Sequence, residues 1–144
     1  MRLINFGVGE LSDRLSILTL KVLHGGEKGQ DVTHWRNEQQ IVLQKLAART
    51  LNGSWFESYT ELAAINGTIW EREDDLREWR KRWESTGPDS TGFRGPALGD
   101  GYVAATALDV AKLAIRLQEL NDERARLIES INKDAGDHLG SEKV

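Results

Sequence analysis

The sequence predicts an all-α protein: a long antiparallel helical hairpin or bundle with two shorter helices. Apolar residues recur at helical spacing in four separate stretches. Helix-breaking residues gather between those stretches, with both prolines of the chain falling between Ser85 and Gly101. Apolar residues make up 39% of the chain and charged residues 29%, the balance of a soluble helical domain.

Leu3, Ile4 and Phe6 form an apolar lead-in that reads as a short N-terminal strand or a packed arm. A first helix is predicted from about Gly9 to His24, with Leu11, Leu15, Leu18 and Val22 on one face. Gly25 and Gly26 are expected to stop it, since glycine readily takes the left-handed conformation beyond a helix C-terminus. A second helix starts near Asp31 or Thr33, carries Trp35, Val42 and Leu46 inward, and ends at Asn52-Gly53.

Ser54 through Glu57 reads as a capping box, a Ser cap followed three residues on by Glu. The helix it opens runs from Trp55 to about Trp83, with Gly67 as its weak point. Counting 4-3-4-3 gives Trp55, Tyr59, Leu62, Asn66, Ile69, Glu73, Leu76, Arg80 and Trp83. That is a heptad seam with polar residues at Asn66, Glu73 and Arg80. Such a helix outruns one small core, so pairing with another long helix, and a homodimer or higher homo-oligomer, is expected.

Residues 85–101 hold glycines 87, 92, 95, 99 and 101 and read as a loop. It is either a surface linker or a ligand loop presenting Phe93 and Arg94. A last helix is predicted from Tyr102 to Asn132, with Val103, Val110, Leu113, Leu117, Leu120, Leu127 and Ile131 on its seam and Arg124 interrupting it. Residues 1–134 then form one helical domain, and 135–144 a polar tail.

A chain of 144 residues can bury a real core. Its net charge of -4 argues against general nucleic-acid binding, which needs surplus Lys and Arg. The absence of cysteine removes disulfides and thiolate metal sites. No apolar run approaches the roughly 20 residues of a membrane span, so a cytoplasmic protein without a membrane partner is expected.

Three polar clusters are candidates for chemistry: Glu10, Asp13, Arg14 and Lys21; Trp70, Glu73, Asp74 and Arg77; and Asn121, Asp122 and Arg124. Each places charges on one helical face. Solvated faces and surface ion pairs would account for Asp75, Glu123 and most of 80–82. Glu73 and Arg124 stand at seam positions, where a charge must pair across helices or await a ligand, because an unpaired buried charge costs several kcal/mol. The histidines lack the spacing of a helical metal pair, and no nucleophile triad, P-loop or dinucleotide fingerprint is present.

Gly9-Glu10-Leu11-Ser12-Asp13-Arg14-Leu15-Ser16-Ile17-Leu18 followed by Lys21, then Ile69-Trp70 with Glu73 through Arg77, then Asn121 through Ala125 with Ile131-Asn132, resembles an uncharacterised "domain of unknown function" family. Its members are small helical proteins of bacteria and phages, some near surface-polysaccharide genes. Arg14 stands where Lys is common in that family, and the Gly-rich segment is an insertion. The resemblance transfers no activity, but it implies that the three clusters belong together.

From the residues of these clusters the leading expectation is non-catalytic binding of a small anionic molecule, a nucleotide foremost. Arg14, Lys21, Arg77 and Arg124 would hold its charge, Trp70 would stack on the base, and the acids would take hydroxyls or amines. A protein sequestering a nucleotide signal, as phages use against host defences, fits the size. One alternative is a Mg²⁺-dependent all-α nucleotide phosphohydrolase, with Glu10 and Asp13, Glu71 and Asp74, and Glu119 and Asp122 as paired ligands. Another is a helical assembly or adaptor protein without a ligand. Only the phosphohydrolase calls for a cofactor.

Overall fold

The computed structural model describes residues 6–86, 93–94, 104–105 and 107–137, and the fold is all-α. Among the described residues four helices run Val8–Glu27 (α1), Thr33–Ala47 (α2), Gly53–Thr86 (α3) and Ala107–Ala135 (α4). Between α3 and α4, Phe93–Arg94 (β1) pairs antiparallel with Ala104–Ala105 (β2). The last helix therefore starts later than the predicted Tyr102. The expected strand at Leu3 and Ile4, most of the Gly-rich loop and the tail beyond Asp137 lie outside the described residues.

The described residues form two compact units. One runs to Gly67 and resumes at Glu123; the other spans Thr68–Asp122. In the first, α1, α2, the start of α3 and the end of α4 share a core of Val8, Leu11, Leu15, Leu18, Val42, Leu46, Leu62 and Ile131. Trp55 and Tyr59 stack at its edge with ring centroids 5.2 Å apart, and burial pushes the Tyr59 phenol pKa up. In the second unit, Trp79 of α3 is buried against Val110 and Leu113 of α4.

Other helix ends also depart from expectation. α1 passes through Gly25 and Gly26 instead of stopping there. A Cβ on Gly25 would lie 2.8 Å from the Trp35 ring, so this glycine admits the start of α2 against α1. The helix closes just beyond, where the Gln30 N–H donates to the Gly25 carbonyl (2.9 Å) and the Gly29 N–H to that of Gly26 (3.1 Å). That is a Schellman motif, and Gly29 takes the left-handed conformation it needs, with φ +70. The same closure recurs at the end of α4, where Gly136 has φ +77 and the Asp137 N–H reaches the Asn132 carbonyl at 2.7 Å.

α3 starts from Asn52, whose side-chain oxygen accepts the Trp55 N–H at 2.9 Å, so Ser54 already lies inside the helix. α2 ends at Ala47, leaving Asn52 to the next element. At the start of α2 the Asp31 carboxylate accepts both the N–H (3.0 Å) and hydroxyl (2.6 Å) of Thr33, which lowers its pKa.

Gly26 and Gly29 are expected to respond to alanine with opposite signs. Gly26 is helical and exposed, and an added methyl there would meet nothing within 4 Å, so Gly26→Ala should stabilise by about 0.5–1 kcal/mol. Gly29→Ala should destabilise by about 1 kcal/mol, because an L-residue is strained at positive φ. Urea denaturation of the two variants checks both signs.

Candidate functional site

In α1, Ser12, Asp13 and Ser16 are interleaved with Leu11, Leu15 and Leu18, and all six are buried. This polar stripe faces the core of the first unit, so each group must find a partner there. The Ser12 hydroxyl donates to the Val8 carbonyl (2.6 Å) and accepts the Trp55 indole N–H (2.9 Å). The Asn66 amide donates to Asp13 Oδ1 (2.9 Å) and to Ser16 Oγ (3.1 Å). From α4, Arg124 forks onto the same carboxylate, Nε to Oδ1 at 2.9 Å and Nη2 to Oδ2 at 2.7 Å. The Asp13 side chain is 12% exposed and that of Arg124 30%, so this bidentate pair sits at the margin of the core.

A second set of contacts lies at the start of α1. Asn132, 5% exposed, accepts the Gly9 N–H at 2.7 Å and donates to both Glu10 oxygens at 2.8 and 3.0 Å. Glu10 in turn accepts the Gly7 N–H at 3.1 Å. Gly7 has no side chain to complete a capping box, so residues of α4 supply the missing cap.

The other α1 cations turn to α2. Arg14 pairs with Glu38, and Lys21 Nζ lies 5.9 Å from the centroid of the Trp35 ring. Of the residues expected to form a site, Glu10, Asp13, Arg14, Lys21 and Arg124 fall in the first unit, and the structure joins Asp13 to Arg124 directly. Trp70, Glu73, Asp74, Arg77, Asn121 and Asp122 belong to the second unit. There Trp70 is half-buried, Glu73 and Asp122 are exposed, and Arg77 pairs with Asp74 on the surface. The Asn121 amide turns back to its own helix, donating to the Leu117 carbonyl at 3.0 Å.

Two seam positions are corrected. Glu73 and Arg80 are exposed, and Trp79 is buried in their place. The buried face of the second unit is set by packing across helices, Trp79 of α3 against Val110 and Leu113 of α4, and not by the 4-3 count.

Sequence reasoning placed Ser12, Ser16 and Asn132 in the stretches that carry the family resemblance but not among the site residues, and assigned Trp55 only to packing. The signal for the serines was present: Ser12 and Ser16 are four apart beside the inward leucines, so burying one face buries both. Asn66 was visible as a polar seam residue. Arg49 and Asp137, paired through Arg49 Nη2 at 2.7 Å from Asp137 Oδ1, had no sequence signal, because the contact depends on how the helix ends fold. Asp137 holds the Arg49 guanidinium pKa above its ordinary value.

The arrangement offers no activated nucleophile: its serine hydroxyls contact a carbonyl, an indole and an amide. Among the described residues no group of three or more His, Asp or Glu side chains is placed to hold a metal ion. What the network does chemically is fix α1, α3 and α4 in one register, since the Trp55, Asn66 and Arg124 donors all have their acceptors on α1. No protein-family model, curated protein or solved structure matches the chain.

Proposed function

We propose that this protein is a non-catalytic helical assembly protein that acts through association with a second copy of itself. The observation that carries this reading is the engagement of the α1 and α4 cations expected to meet an anionic ligand. Arg14 is taken by Glu38, Lys21 by the Trp35 face and Arg124 by Asp13. A nucleotide at this cluster would have to break the contacts that hold the helices together. Large apolar side chains stand at the surface instead, Phe56 and Leu108 at 62% and Ile115 at 57% exposure. The resemblance to the uncharacterised helical family is compatible with this reading, because Gly9, Glu10, Asp13, Arg124 and Asn132, which carry it, all serve helix packing.

A second reading, the binding of a small anionic molecule such as a nucleotide, is favoured by one observation in the second unit. The Arg77 side chain is 59% exposed, and Trp70, Asp74 and Arg77 follow one another along one face of α3.

Two measurements on the purified protein separate these readings. Sedimentation velocity over a wide concentration range should show a dimer or higher oligomer that dissociates on dilution. A nucleotide pool passed over the protein, washed and released by heat should leave nothing retained by mass spectrometry. A monomer at every concentration that releases a stoichiometric nucleotide would overturn the assembly reading in favour of the second.

A further inference from the structure

We infer that the C-terminal turn of α4 is a clasp, closing the first unit through contacts that form and open together. The turn reaches two elements distant in sequence. Asp137 accepts the Val8 N–H at 3.0 Å, which is one of the otherwise unbonded amides in the first turn of α1. Its other oxygen accepts Arg49 Nη2 at 2.7 Å, from the connection between α2 and α3. Asn132, one turn earlier, holds the next amide of α1, that of Gly9, at 2.7 Å.

The clasp geometry is set by the backbone. Asp137 arrives at α1 only because Gly136, at φ +77, reverses the chain and the Asp137 N–H returns to the Asn132 carbonyl at 2.7 Å. Asn132 thus holds α1 with its side chain and the Asp137 turn with its carbonyl. A change at any member displaces the others, which is the condition for a cooperative local opening.

The packing beneath favours opening at this end. A cavity of about 30 Å³, room for roughly one water, is lined by apolar Val8, Leu51 and Ile131 and by polar Asn52, Ser58 and Asp134 among others. Val8 at 0% exposure and Ile131 at 2% are the apolar residues that a released clasp would uncover. The start of α1 and the turn after α4 thus lock each other, and the lock covers Val8 and Ile131, which solvent or a partner meets only on release.

Residue-resolved amide hydrogen exchange on the full chain tests this, using Arg49→Ala and Asp137→Ala. Arg49 touches neither the Val8 nor the Gly9 amide, so its loss acts on them only through the clasp. The expected result is that both variants raise exchange at Val8 and Gly9 by at least about tenfold, the loss of a charge-assisted hydrogen bond. The α2 amides of Val42 and Leu46 should keep their rates. The inference is overturned if Arg49→Ala leaves Val8 and Gly9 unchanged, or if Asp137→Ala affects Val8 alone. It is equally overturned if the α2 amides rise with the others, since opening is then global.

Discussion

Gly9→Ala is expected to lower the stability of the protein by about 3 kcal/mol, against the sign that helix propensity alone gives. Gly9 lies within α1, and a non-glycine residue there would ordinarily favour the helix by about 0.5–1 kcal/mol. Space decides otherwise. A Cβ built on Gly9 would sit 2.2 Å from the Ile128 carbonyl oxygen and 2.9 Å from the Asn132 amide group. The first obstacle is backbone of α4, which no rotamer change can move. Relief requires separating α1 from α4, and that breaks the Asn132 contacts to Gly9 and Glu10. Gly67→Ala is the matched control: it lies inside α3 with nothing within 4 Å of the added methyl and should be neutral or stabilising. Urea denaturation followed by circular dichroism measures both. A neutral Gly9→Ala would show that α1 and α4 do not approach this closely in solution.

This glycine also shows why the fold was largely legible in the sequence while its joints were not. Leu11, Leu15 and Leu18, Val42 and Leu46, and Leu117, Leu120 and Ile131 were all placed inward by periodicity, and all are buried. Burial on one helical face is a local property, so spacing reports it. Glycine roles are not local. Gly25 resembles a helix stop and is instead a contact with Trp35, while Gly29, three positions past the helix-capping signal at Gly26, provides the stop. The N-terminus of α3 misled for a similar reason: Ser54 and Glu57 have capping-box spacing, but Asn52 stands earlier in the chain and takes the Trp55 amide.

The candidate site was legible only as a set of polar residues in places that favour apolar ones. Arg124 and Asn66 both interrupt an apolar seam, and the structure gives them one acceptor, Asp13. The sequence cannot name that partner, because the contact joins residues 111 positions apart. The sequence therefore leaves a ligand contact and a register-fixing pair as alternatives, and the distances add an Arg124–Asp13 ion pair. Arg14 and Lys21 illustrate the same limit: their charges fit an anion, and Glu38 and Trp35 on α2 meet them first. Exposed stripes such as Asp74 and Arg77 read correctly as i,i+3 neighbours, since that relation is fixed by the helix itself.

Arg124→Ala is expected to cost about 2 kcal/mol of stability, less than the loss of one partner from a fully buried pair because the guanidinium is partly solvated. What remains is an Asp13 carboxylate, 12% exposed at its side chain, with the Asn66 amide as its donor in the network. Arg124→Lys should recover less than half of the loss, since one ammonium cannot reproduce the Nε and Nη2 contacts to two oxygens. Replacing both partners by leucine removes the stranded charge and should be milder than the sum of the single losses. A double-mutant cycle from urea midpoints should then give a coupling of about 1–3 kcal/mol. Additive losses would mean that the pair contributes no coupling and that the register is held elsewhere. Full stability of Arg124→Ala, together with loss of a ligand that the native protein retains, would instead assign Arg124 to binding. The two roles thus predict opposite outcomes from one substitution, since a register-fixing arginine is felt in the folded state and a ligand-holding one only in the complex.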